Sequence, residues 1–169
     1  PSAINDQWPE LALELQLSSE GTLDQYQAQL QAHVDGNDFQ PVDLDLVLQG
    51  STDHVRVDSA KITAAEGAVD ISGEVDWAES LRWQAQLAVD RIDPSIYEGM
   101  VAARISGMIA ADGEITSERI GYRVQVQDLD GIFSGPELAI KGDLQLEGTE
   151  EGLSLGAARL HSNGGTLLL

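Results

Sequence analysis

Apolar and polar residues alternate with a period of two along nearly the whole chain, a pattern that puts them on opposite faces of successive β-strands. Leu11, Leu13, Leu15 and Leu17 alternate with Ala12, Glu14 and Gln16. Tyr26, Ala28, Leu30, Ala32 and Val34 alternate with Gln27, Gln29, Gln31 and His33, so one face reads as amide and the other as hydrocarbon. After a turn at Asp35-Gly36-Asn37-Asp38, Val42, Leu44, Leu46 and Leu48 alternate with Asp43, Asp45 and Gln49, with Val47 out of phase. Beyond a turn at Ala64 to Gly67 come Val69, Ile71, Gly73, Val75 and Trp77; a further turn at Trp77 to Ser80 leads into Leu81, Trp83, Ala85, Leu87 and Val89. Ile92 to Gly99 breaks the alternation, and Pro94 predicts one short helical turn there. Val101, Ala103, Ile105, Gly107 and Ile109 make the next strand, which ends at Ala111-Asp112-Gly113. Tyr122, Val124 and Val126 form another, Asp128-Leu129-Asp130-Gly131 reads as a turn, and Leu138, Ile140, Leu144 and Leu146 follow.

The pattern repeats. Leu46 to Ile71 returns without a gap as Leu144 to Leu169, an offset of 98, with leucines, glycines and alanines matching and polar positions drifting. In both copies the apolar phase slips, once near Asp58 to Ala60 and once between Leu155 and Leu160, which predicts a β-bulge at the same place in each. The tyrosine-led strand recurs at an offset of 96, and Pro1-Ser2 with Leu11 to Gly21 resembles Pro94-Ser95 with Val101 to Gly113. The unit is therefore about 95 residues of roughly six strands. The chain reads as a single continuous piece of something longer, residues 1–169, holding one unit over about 1–93 and most of a second over 94–169.

Ten or eleven strands with one apolar face each would leave a flat sheet of leucine and valine in water, at ~1.5 to 3 kcal/mol per large side chain. The expected fold is all-β: an elongated, curled antiparallel sheet, a half-open β-groove with a hydrophobic interior, built as an open-ended ladder. The residues predicted to line that groove are Leu13, Leu15, Tyr26, Leu30, Leu44, Leu46, Leu48, Val57, Val69, Ile71, Val75, Leu87, Val89, Ile105, Ile109, Val124, Val126, Leu144, Leu146 and Leu155. Many other inward positions are small (Ala28, Ala32, Gly73, Ala85, Ala103, Gly107 and Ala111), and the pattern leaves open whether the interior is filled or hollow.

Charge narrows the partners. With 29 acidic against 9 basic residues and a net of -20, electrostatic attraction to nucleic acid or to an anionic membrane surface is not expected. There is no cysteine, hence neither a disulfide framework nor a thiolate site, and no apolar run approaches the ~18 residues of a membrane-spanning helix. His33, His54 and His161 do not converge on a metal-ligand spacing, Asp128-Leu129-Asp130-Gly131 lacks the closing glutamate of a calcium loop, and no phosphate-binding loop or nucleophile elbow occurs. No cofactor and no enzyme activity are expected. Trp77 and Trp83 are read as strand-end packing, with capping of the groove or gripping of a lipid as the other role.

The segment from Val69 to Gly99, VDISGEVDWAESLRWQAQLAVDRIDPSIYEG, preceded by VRVDSAKITAAEG, carries a resemblance. Gly73, the pair Trp77 and Trp83 across a short turn, the alternating strand after Trp83, and Asp93-Pro94 together resemble the repeat unit of the TamB family of translocation and assembly module subunits, within the wider AsmA-like family of bridge-like lipid transfer proteins. That resemblance implies a β-taco groove in the periplasm of a Gram-negative bacterium. It also implies a parent chain anchored in the inner membrane and working with TamA in the outer membrane, and phospholipid acyl chains as cargo. Two further readings stand beside a lipid conduit: a chaperone-like scaffold that holds strands of outer-membrane barrel proteins for assembly or secretion, and a structural spacer with a packed interior.

Overall fold

The computed structural model describes residues 11–36, 39–64, 66–96, 102–117, 119–133 and 138–168. Eleven strands follow one another in chain order: β1 (Leu11–Thr22), β2 (Gln25–Gly36), β3 (Phe39–Gly50), β4 (His54–Ala64), β5 (Gly67–Asp76), β6 (Leu81–Ile92), β7 (Ala103–Ile115), β8 (Ile120–Phe133), β9 (Leu138–Thr149), β10 (Gly152–Ser162) and β11 (Gly165–Leu168). Each pairs antiparallel with its sequence neighbours in a single sheet of order β1 to β11. The sheet is an open meander, not closed into a barrel, as an elongated curled sheet requires. At about 4.8 Å between neighbours, its eleven strands extend ~48 Å across the pairing direction.

Between β6 and β7 the expected helical turn is present as one 3-10 turn at Pro94–Ile96. Asp93 anchors it, its Oδ1 accepting hydrogen bonds from the Ser95 amide at 2.9 Å and the Ala103 amide at 3.2 Å. Those amides, Ser95 first, hold the Asp93 carboxyl below the usual carboxylate range.

The repeated phase slip is a repeated bulge. The register shifts between Val57 and Ala60 in β4 and between Leu155 and Ala157 in β10, and in each case the extra residue returns the following apolar side chains to the face they would otherwise leave. Three more shifts were not expected: one between Val34 and Gly36 where β2 pairs with β3, and two bulges, between Val89 and Ile92 in β6 and between Val126 and Leu129 in β8. Arg91 and Asp128 supply their left-handed residues, with φ of 53° and 52°. Asp128-Leu129-Asp130-Gly131 is therefore not a turn but the bulged middle of β8, and Ala111-Asp112-Gly113 does not end β7, which runs on to Ile115. Trp77 lies just past the end of β5, in the connection to β6. Pro1, Ser2, Asn37, Asp38, Val101 and Leu169 lie outside the described residues.

Among the described residues no second layer covers this sheet. Its accessible surface is 12200 Å², where a compact chain of 18.1 kDa exposes about 8,000 Å². Among the described residues every buried one is small, namely Gly50, Ala60, Ala103, Gly131, Gly148 and Ala158, and no large side chain is fully buried.

Candidate functional site

The register sorts the described strand residues into two faces, and the difference between them defines the site. Four rows cross the strands on the apolar face. The first runs through Leu15, Ala32, Leu44, Ile62, Val69 and Val89. The second, the richest in large aliphatics, runs Leu17, Leu30, Leu46, Ala60, Ile71, Leu87, Ile109, Val126, Leu144 and Ala158. The third is Ala28, Leu48, Val57, Gly73, Ala85, Ala111, Val124, Leu146 and Leu155. The fourth is Tyr26, Gly50, Val55, Val75, Trp83, Gly113, Tyr122, Gly148 and Leu153. Leu13 pairs with Val34 and Ile105 with Ile92 near the far ends of their strands, also on this face. Every residue predicted to line a groove thus shares one face, and outside the bulges no Asp, Glu, Lys, Arg or His interrupts it. The coverage is partial: β2 to β9 half-bury most of these side chains, while Leu13 and Leu15 on the outer strand β1 are 63% and 56% exposed and Leu155 on β10 is 45% exposed.

The fourth row holds a feature that alternation alone does not reveal. Tyr26, Trp83 and Tyr122 each stand directly opposite a glycine of the next strand, Gly50, Gly113 and Gly148. Their rings lie across those glycines: a Cβ at Gly148 would fall 1.9 Å from Tyr122 Cζ, one at Gly113 2.6 Å from Trp83 Nε1, and one at Gly50 2.6 Å from Tyr26 Oη. An aromatic ring shielding a cross-strand glycine restores the packing and cover that the glycine lacks. The signal in the sequence was a glycine in an otherwise apolar alternation, and only the register shows which ring fills each gap. Trp77 is different, its Nε1 donating to the Thr52 carbonyl at 3.0 Å and tying the β5–β6 connection to the β3–β4 connection.

The opposite face carries the charge. Asp43 accepts from His33 at 2.6 Å, and that hydrogen bond raises the His33 pKa. Arg82 meets Glu114 at 3.0 Å, Arg123 meets Glu147 at 3.4 Å and Lys141 meets Asp130 at 2.8 Å. Arg82, then Ser80, lowers the Glu114 pKa by hydrogen bonding. These exposed cross-strand pairs contribute little to stability individually. Among the described residues no three metal-ligating side chains come together and no helix is long and apolar enough to cross a membrane. A cleft of about 830 Å³ opens where β5 to β9 approach their aromatic ends, lined by Arg82, Arg119 and Arg123 together with Glu114, Glu147, Trp83 and Tyr122.

Comparison with known proteins agrees with this geometry. The family model described as "TamB, N-terminal domain" matches residues 6–166. The chain is 24% identical over 144 residues to the translocation and assembly module subunit TamB of Haemophilus influenzae, a match covering 85% of this chain and 11% of that protein. It therefore spans about a tenth of that relative's length. No solved structure matches it. An open meander with one uncharged face, matched over nearly its full length by that family model, belongs to the TamB, N-terminal domain family.

Proposed function

We propose that this chain is a segment of a periplasmic bridge whose apolar face carries phospholipid acyl chains between inner and outer membrane, within a longer protein anchored in the inner membrane and acting with TamA. The observation that carries the reading is the second row of the apolar face, from Leu17 to Ala158, which crosses ten strands without a charged or amide side chain. An acyl chain passed from strand to strand over it meets only hydrocarbon. At ~0.8 kcal/mol per buried methylene, a chain of about fifteen methylenes half sunk into the face gains roughly 6 kcal/mol, enough to hold a lipid without trapping it. The acidic opposite face keeps such a sheet soluble.

Gln86 and Leu87 are neighbours on opposite faces of β6 and provide the test. In the full-length protein, Leu87→Glu places an isolated carboxylate in the path of the acyl chain, whereas Gln86→Glu places the same charge in water. Leu87→Glu should abolish lipid photocrosslinking from Ile109 and disturb outer-membrane lipid balance, and Gln86→Glu should do neither. Equal behaviour of the two variants, with circular dichroism showing both folded, would sink the proposal.

A further inference from the structure

The two long rims of the apolar face differ in chemistry. One rim carries the β1–β2, β3–β4, β5–β6, β7–β8 and β9–β10 connections, and all four described Tyr and Trp residues, Tyr26, Trp77, Trp83 and Tyr122, lie at it. Among the described residues the other rim has neither residue type and ends in aliphatic, phenylalanine and small residues such as Val34, Ile92, Phe133 and Ile140. Trp77 satisfies its indole N–H within the protein. Tyr26 Oη, Trp83 Nε1 and Tyr122 Oη have no hydrogen-bond partner among the described residues, though each is fixed by its ring lying over a glycine. A partly covered aromatic with an unused polar tip suits a boundary where hydrocarbon gives way to polar groups, as at the surface of a bilayer. Arg82 and Arg123, the chain neighbours of Trp83 and Tyr122, turn to the opposite face and pair there with Glu114 and Glu147, so the unused donors at this rim of the apolar face belong to the aromatic row.

We infer that the Tyr26–Trp83–Tyr122 rim is the headgroup side of the apolar face, its hydroxyl and indole donors addressing the ester and phosphate oxygens of a glycerophospholipid whose acyl chains lie over the leucine rows. The inference rests on the lipid-carrying role proposed above and adds an orientation to it. Acyl chains point away from this rim, and every bound lipid presents its polar end along the same side of the sheet. The three rings are positioning residues in the sense that a glycine opposite each one fixes where its donor sits.

The test reads orientation in the full-length protein. A fluorinated phenylalanine analogue replaces Trp83 in one sample and Leu87 in another, and fluorine line broadening is recorded with phosphatidylcholine vesicles carrying a nitroxide near the ester end or near the methyl end of the chain. Position 83 should broaden at least about threefold more with the ester-end label, and position 87 more with the methyl-end label. Equal broadening by both labels at position 83, or stronger broadening there by the methyl-end label, while position 87 responds, overturns the orientation and leaves the lipid-carrying role standing; no broadening at either position overturns both. As a second readout, Tyr26→Phe and Tyr122→Phe keep the ring over its glycine and remove only the hydroxyl. Each should weaken phospholipid binding roughly 2- to 10-fold, the value of one hydrogen bond, without changing the unfolding midpoint. Unchanged binding in both variants means that the rings serve packing alone and defeats the inference.

Discussion

Four glycines separate the two reasons a position can refuse a side chain, and together they test the register on which the apolar face depends. Gly121 has open space around its absent Cβ, and Gly152 has open space but a φ of +154°. Gly148 has no such backbone constraint, yet Tyr122 Cζ lies 1.9 Å from where a Cβ would go. Gly142 has both obstacles, a φ of +145° and the Arg159 carbonyl oxygen of the neighbouring strand 1.9 Å away. Gly121→Ala should therefore be neutral or stabilise by up to ~1 kcal/mol through the unfolded chain. Gly152→Ala should cost about 1–2 kcal/mol for the backbone conformation alone. Gly148→Ala should cost about 1–3 kcal/mol as the ring is displaced, and Tyr122→Ala should couple to it favourably, because the obstacle is a side chain that can be removed. Gly142→Ala combines strain with a clash against a backbone atom that no truncation relieves, for about 2–5 kcal/mol, a large part of the 5–15 kcal/mol typical of a domain. Urea unfolding of the 169-residue chain, followed by far-ultraviolet circular dichroism at a shared m value, ranks the four. A Gly142→Ala midpoint within error of Gly121→Ala would refute the β9–β10 register and with it the placement of Leu144 and Leu155 on one face.

Two further outcomes follow from the same geometry. Deleting Asp128 removes the extra residue of the β8 bulge and leaves Leu129 and Phe133 on the apolar face in plain alternation, so it should cost about 1 kcal/mol, whereas deleting Gln125 from the regular part of β8 turns Val126 out and brings Gln127 onto the apolar face and should cost on the order of 2–5 kcal/mol; equal unfolding midpoints would contradict the bulge assignment. His33 has its pKa raised, chiefly by its hydrogen bond to Asp43, so the favourable contribution of that pair is fully present below the ordinary histidine pKa of ~6.5 and is lost as pH rises through the higher folded value. Nuclear magnetic resonance titration should place His33 above that ordinary value and return it there in Asp43→Asn; a wild-type titration already at the ordinary value would contradict the contact.

The period of two made the strands and the shared face legible, because a strand half in contact with hydrocarbon cannot vary freely at alternate positions. It also exposed the β4 and β10 bulges, since the slip from Val57 to Ala60 recurs from Leu155 to Ala158 and a slip seen twice is not noise. The bulges of β6 and β8 were hidden for a physical reason. Asp90-Arg91 and Gln127-Asp128 insert polar residues into a strand, and polar residues interrupting an apolar alternation look the same as a turn until the partner strand is known. Gly113 misled in the same way. Beside Asp112 it has the composition of a turn, but its hydrogen side chain leaves room for the Trp83 ring. The repeat at an offset of 96 made Tyr26 and Tyr122 equivalent, but Trp83 belongs to no such match, and only the intervening pairings bring it into their row and set a glycine opposite each ring.

Twist explains why the polar side of such a face would need a chemical mark. Neighbouring strands in a sheet rotate by roughly 20–25°, and bulges add to that locally, so the ten pairings among eleven strands turn the face by on the order of 200–250° from β1 to β11. A lipid passed along the rows cannot keep its orientation relative to the cell; it can keep it only relative to the strands. A rim defined by the same end of every hairpin rotates with the sheet, and donors spaced along it at β2, β6 and β8 present the same chemistry wherever the face has turned. Glycine opposite each ring is what lets those donors recur without thickening the sheet. The conserved quantity along this ribbon is then the distance from the leucine rows to the aromatic row, two residue pairs along the strand or ~13 Å, which a bound amphiphile would find unchanged from one end to the other.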